Sequence, residues 1–147
     1  MRLFIDADGC PVVNEAVSTA QRHGVEVILL CDTAHLLQKE GARTITVSKG
    51  ADSVDFALVN LLQPGDIAVT QDYGLAAMCL ARQAVVLNQD GLVYNSSNIG
   101  PLLQSRHMAQ KIRRSGGRLR GPAKRKPQQT AAFVQTLENL LSQNTSG

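Results

Sequence analysis

Five short runs of apolar or β-branched residues recur in the first ninety positions, and helix-length segments separate them. The runs are RLFID (2–6), VEVILLC (25–31), RTITVS (43–48), DIAVT (66–70) and AVVLN (84–88). The intervening segments carry helix signals. Pro11 suits the first turn of a helix that continues through VVNEAVSTAQRH and stops at Gly24. A short helix is expected over 33–40, one over 53–62 closed by Pro64-Gly65, and one over 73–83 rich in Ala and Leu. Parallel strands cannot be joined by tight turns, so alternating strands and helices predict a mostly parallel sheet with helices on both faces. GLVYN (91–95) reads as a small hairpin arm.

After residue 95 the pattern changes. SNIGPLLQSRHMAQKIRRS reads as a helix, GGRLRGPAKRKPQQ as a loop, and TAAFVQTLENLLSQ as an amphipathic helix. Phe133, Leu137, Leu140 and Leu141 share one face of that last helix, so it is expected to dock on the body. A length of 147 residues suits one domain with a real core: an α/β part over 1–95 and a basic helical extension over 96–147. Aromatic residues are only 3% of the chain, so Val, Leu, Ile and Ala must fill that core, which fits a layered α/β protein.

No stretch approaches the ~20 apolar residues of a membrane span. Asp6 and Asp8 interrupt the only early apolar run, so no signal peptide is read. Cys10, Cys31 and Cys79 make no disulfide framework, and a reducing cytoplasm is the expected compartment.

In an open parallel sheet, ligands bind beyond the carboxyl ends of the strands. Asp6 and Asp8 end the first run and Asp72 follows the fourth. Asp52 and Asp55 open a helix entering from the same edge, three residues apart and so on one face. Clustered carboxylates repel one another and raise their own pKa values. A hard divalent cation, Mg2+ or Mn2+, relieves this with few protein oxygens because it keeps several waters. The plainer alternative is helix capping, which is preferred for Asp52 alone. Asp32 lies on the same edge and suits a cap, whereas Asp66 precedes its strand and belongs to the opposite edge. Cys10 sits at a helix start, but nearby carboxylates oppose a thiolate and no His adjoins it.

Charge is distributed unevenly. Residues 1–90 carry eleven acids against six bases, and residues 91–147 carry nine bases against one acid, Glu138. An acidic body with a basic extension suits a metal in one place and a polyanion in another, although a solvated tail is the simpler alternative for the basic run. The candidate phosphate contacts are Lys111, Arg113, Arg114, Arg118, Arg120, Lys124, Arg125 and Lys126, with Lys49 in the loop before the acidic helix. No aromatic-rich platform is visible, which argues against sequence-specific reading of single-stranded bases.

Two superfamilies share an opening strand followed by DxD. IDADGC resembles the haloacid-dehalogenase-like phosphatases, whose first Asp is a nucleophile; that resemblance implies Asp6 in this role. Its later acid should follow a strand, whereas Asp66 precedes one. IDAD, DSVDFALVNLL and AVTQDYGLA resemble the PIN-like nucleases and their NYN relatives in order, type and spacing. That resemblance implies Asp6, Asp55 and Asp72 as catalytic metal ligands, supported by Asp8 and Asp52. IDADGCPV, DSVDFALVNLLQPGDIAVTQDYGLA, NIGPLLQSRHMAQKIRRSGGRLRGPAKRK and the terminal F-x-x-x-L-x-x-LL together resemble the bacterial YaiI/YqxD family, a PIN-like group of unestablished role. The expectation is a single PIN-like α/β domain, a Mg2+- or Mn2+-dependent nuclease acting on RNA. The alternatives are a binding module with a degenerate acidic site and a phosphatase using Asp6. RNA is the expected partner, a membrane is not, and a homodimer is compatible with the chain.

Overall fold

The structure, a computed structural model, describes residues 1–32, 39–48, 53–105 and 124–145. The expected helix over 33–40 therefore lies largely outside the described residues. So do Lys49, Asp52, Lys111, Arg113, Arg114, Arg118 and Arg120.

Six strands form one sheet in the order β3-β2-β1-β4-β5-β6. They are β1 (Arg2–Asp6), β2 (Glu26–Asp32), β3 (Arg43–Val47), β4 (Ile67–Val69), β5 (Val85–Leu87) and β6 (Val93–Tyr94). The first five pair in parallel, and β6 runs antiparallel to β5. Buried runs such as the fully covered centre of β2 are what a sheet with helices on both faces demands. The helices are α1 (Val13–Arg22), α2 (Ser53–Leu61), α3 (Tyr73–Ala81), α4 (described over 99–105) and α5 (Pro127–Thr145).

Side-chain alternation along the strands divides the core in two. Leu3, Ile5, Val27, Leu29, Ile67, Val69 and Leu87 face α1 and α5, where Phe133, Leu137 and Leu141 are fully buried. Phe4, Ile28, Leu30, Ala68 and Val86 face α2 and α3, with Ile99 and Leu102 of α4 packed against them. The terminal helix docks through the expected face, with Leu140 at its margin.

Local chemistry trims several expected boundaries. Pro11 does not enter α1. Gly9 adopts a left-handed φ of +72°, Cys10 N donates to Ala7 O at 3.2 Å, and the helix begins only at Val13. A left-handed turn of this kind is open to glycine at little cost. β4 ends at Val69, and Thr70, the next residue, still donates its amide to Leu87 O at 3.1 Å while its hydroxyl turns to Asp6. The expected hairpin arm is β6. Asn88 Oδ1 accepts from Asp90 N and Leu92 N, both at 2.9 Å, and Gly91 (φ +87°) lies so close to α5 that a Cβ would sit 2.7 Å from Ala132 O.

β1 lies between β2 and β4, and the chain leaves those strands toward opposite faces: α1 follows β1 on one, α3 follows β4 on the other. The crevice where the connections diverge is where an open α/β sheet binds ligands.

Candidate functional site

Asp6 is the last residue of β1, and the register pairs the preceding Ile5 with Val69, so Asp6 and Thr70 are level at the sheet edge. Thr70 Oγ1 donates to Asp6 Oδ2 at 2.9 Å and accepts from Asp72 N at 3.0 Å. Asp72 in turn caps α3: its Oδ1 accepts from Gly74 N at 2.8 Å and Leu75 N at 3.3 Å. The T-x-D spacing thus ties the Asp6 carboxylate to the Asp72 backbone amide through one buried hydroxyl. Asp8 Oδ2 accepts from Asp32 N at 3.1 Å, which ties the turn after β1 to the end of β2.

Asp6, Asp8, Gln71, Asp72 and Tyr73 line a cleft of about 520 Å3. Asp55, in the first turn of α2, lies near enough to act on Asp6 electrostatically. Burial pushes the Asp6 carboxyl up to about 6; the Thr70 hydrogen bond opposes this, and the charges of Asp55, Asp8 and Asp72 add to it. The structure therefore brings Asp6, Asp8 and Asp72 together with Asp55 beside them. Asp52 lies outside the described residues.

The donor set is all oxygen, the chemistry that Mg2+ and Mn2+ take, and its mutual repulsion is what a cation would relieve. Among the described residues, however, no group of three or more His, Cys, Asp or Glu side chains is close enough to hold an ion as placed. The residues fit in kind, and water would have to complete the shell.

The basic residues divide. Lys124 and Lys126 are exposed. Arg125 is committed internally: it donates to Asp90 Oδ1 at 2.7 Å, Gln89 O at 2.6 Å and Thr130 Oγ1 at 3.1 Å. It clamps the turn after β5 to the start of α5, so its guanidinium holds the fold rather than offering an open phosphate contact. That turn follows the carboxyl end of β5, so the Lys124–Lys126 segment lies at the same sheet edge as the acids.

Cys10 is half-buried, and burial raises its thiol pKa, which suits packing and not a nucleophile. Asp66 lies at the opposite edge, as its place before β4 implies. Its carboxylate accepts from Arg2 N at 2.9 Å, Arg2 Nη2 at 3.2 Å and Gln63 N at 2.9 Å.

Three residues went unsingled in the sequence. Gln71 reaches across the cleft, its Nε2 donating to Gly9 O at 2.9 Å. Tyr94 is buried, and its hydroxyl donates to Thr70 O at 3.2 Å. Tyr73 meets Tyr94 edge-to-face, ring centroids 6.1 Å apart at 72°. Gln71 and Tyr73 adjoin Asp72 and were visible as neighbours of that motif. Tyr94 carries no local signal, because only the β5–β6 pairing brings it to Thr70.

Comparison with known proteins agrees with the opening and closing motifs. The chain matches the family described as "Uncharacterized BCR, YaiI/YqxD family" over residues 4–143. It is 52% identical to a UPF0178 protein of Exiguobacterium sibiricum over 145 residues, 99% of each chain. It is 46% identical to a UPF0178 protein of Ruminiclostridium cellulolyticum, covering 100% of this chain and 96% of the relative. A UPF0178 protein of Clostridium acetobutylicum is 41% identical over 96% of this chain and 97% of its own. No solved structure matches. With its acidic crevice at the β1–β4 junction and a family match that spans nearly every described element, this chain belongs to the YaiI/YqxD family.

Proposed function

We propose that the protein is a divalent-metal-dependent phosphodiesterase acting on RNA, with the crevice between β1 and β4 as its active site. The observation that carries this reading is the cleft lined by Asp6, Asp8 and Asp72, where burial first, and then the neighbouring carboxylates, raise the Asp6 pKa. Carboxylates that serve only as caps have no reason to crowd one another.

Asp6, Asp55 and Asp72 would hold the cation, with Asp8 in support and water completing the shell. When bound, Mg2+ or Mn2+ supplies Lewis acidity and an activated water for attack on phosphorus. Thr70 fixes the Asp6 carboxylate by donating to Oδ2, so Asp6 offers a defined orientation to the cleft. Asp72 is fixed by capping α3. Lys124 and Lys126 attract the phosphate backbone, and Arg125 positions them by anchoring the segment between them.

The test is cleavage of single-stranded RNA in Mn2+, with a generic phosphate ester in parallel. Asp6→Asn and Asp72→Asn keep an acceptor for Thr70 and for the α3 cap, so both variants fold. Each should lose at least about 100-fold in rate, a loss of the size attached to single groups that act in the transition state. The unmodified protein should also gain thermal stability with Mn2+, and Asp6→Asn should not. RNA cleavage that survives Asp72→Asn would sink the metal assignment. RNA binding without cleavage would favour a binding module, and ester turnover through an acid-labile phospho-aspartate would favour a phosphatase.

A further inference from the structure

The acidic cleft has one aromatic wall. Tyr73 lines it together with Asp6, Asp8, Gln71 and Asp72. The ring is not a loose surface group. It abuts Tyr94 at 6.1 Å and 72°, and Tyr94 is buried with its hydroxyl on Thr70 O. Thr70 is the residue whose side chain holds Asp6. Ring, backbone and carboxylate therefore form one connected unit, and the ring loses little freedom when a ligand covers it.

Tyr73 and Asp72 are consecutive, with Cα atoms about 3.8 Å apart. Both line the cleft, so a nucleotide whose phosphate is held there through a cation would have its base beside the ring. A base inside a duplex has both faces covered by adjacent pairs, so only an unpaired base can present a face to Tyr73. On the reading of this cleft as a phosphodiester site, we propose that Tyr73 stacks on an unpaired nucleobase, which makes a single strand the substrate and excludes the uninterrupted duplex. Stacking tolerates any base, so this selects strandedness and not sequence. Gln71 closes the cleft on its far side through Gly9 O.

The chain has no Trp and two Tyr, so its intrinsic emission reports on this pair. Short single-stranded oligoadenylate RNA, the same strand annealed to its complement, and ribose 5-phosphate are titrated into the full chain, with Ca2+ present to screen the carboxylates. Emission is read for quenching, and a labelled oligoadenylate gives the affinity by anisotropy. The single strand should quench the unmodified protein; the duplex and ribose 5-phosphate should not. Tyr73→Phe should keep the affinity and lose most of the quenching, since the remaining Tyr94 is buried. Tyr73→Leu keeps apolar bulk against Tyr94 but offers no π face, and should bind the single strand about tenfold more weakly. Equal affinity of the Phe and Leu variants, equal binding of duplex, or no binding of the single strand overturns the proposal. If RNA is never cleaved in Mn2+ but the Phe–Leu difference persists, the enzymatic reading falls and the stacking stands. Cleavage without that difference does the reverse.

Discussion

Asp6 and Asp66 sit at opposite edges of the same parallel sheet, and their surroundings could hardly differ more. Asp66 is 4% exposed and receives three hydrogen bonds, two from backbone amides and one from the Arg2 guanidinium, which also lies 4.9 Å from the Phe4 ring. Among the described residues Asp6 receives one side-chain hydrogen bond, from Thr70, and faces the charges of three other carboxylates. Donors converge on an acid that holds a fold together. Other acids converge on Asp6, an arrangement that costs stability and needs another justification.

The largest expected effect lies on the structural side. Asp66→Ala strands Arg2 and the Arg2 and Gln63 amides, and should cost about 3 kcal/mol in chemical denaturation. A loss below about 1 kcal/mol would remove the contrast altogether. On the other side the sign reverses with pH. The folded pKa of Asp6 is raised from 3.8 to about 6, so the folded state binds the extra proton between those values. Stability attributable to Asp6 is full below pH 4 and declines through pH 6, by at most about 3 kcal/mol and by less once solvent screens the partly exposed group. Asp6→Asn should flatten that slope; an unchanged pH profile would show that Asp6 is not under strain.

Thr70→Val sharpens the comparison by removing the one side-chain donor to Asp6 among the described residues. It should cost about 1 kcal/mol, lift the Asp6 pKa further and move the pH-dependent decline upward, which denaturation at several pH values measures. The smallest effect belongs to a third carboxylate, which separates pairing from burial. Glu138 of α5 accepts from Arg22 Nη2 and His23 Nε2, both at 2.7 Å, yet is about one-third exposed. The Arg22 hydrogen bond, then that of His23, lowers its pKa below the usual carboxylate range. Its contribution is present at neutral pH and lost as the pH falls through that depressed value. Glu138→Gln should shift the melting temperature less than any change above and remove a small acid-side slope.

Strand and helix order was legible in the sequence because each run follows its own period, and the register followed from alternation about a two-sided core. Asp6, Asp8 and Asp72 were legible as strand-end acids. Asp55 was assigned through the spacing of DSVD. Less visible were contacts made by chain crossings. The pairing of Arg2 with Asp66 spans 64 residues and depends on β1 and β4 being neighbours. Arg125 looked like one more cation of a basic run, and only its position beside Asp90 shows that it is spent inside the fold. The bounds of α1 depended on Gly9 turning left-handed before Pro11, a competition that helix propensity does not describe.

The Thr70 hydroxyl has a single hydrogen and gives it to Asp6 Oδ2, while the Asp72 amide occupies the oxygen from behind. Its direction is therefore fixed. A proton taken up by Asp6 is steered to the other oxygen, Oδ1, since Oδ2 already faces a donor. If the crevice holds a cation, as proposed, that cation would meet the proton as its rival for the same atom. On the proposed function, cation binding would weaken as the pH falls through about 6, because the same carboxylate then takes up a proton.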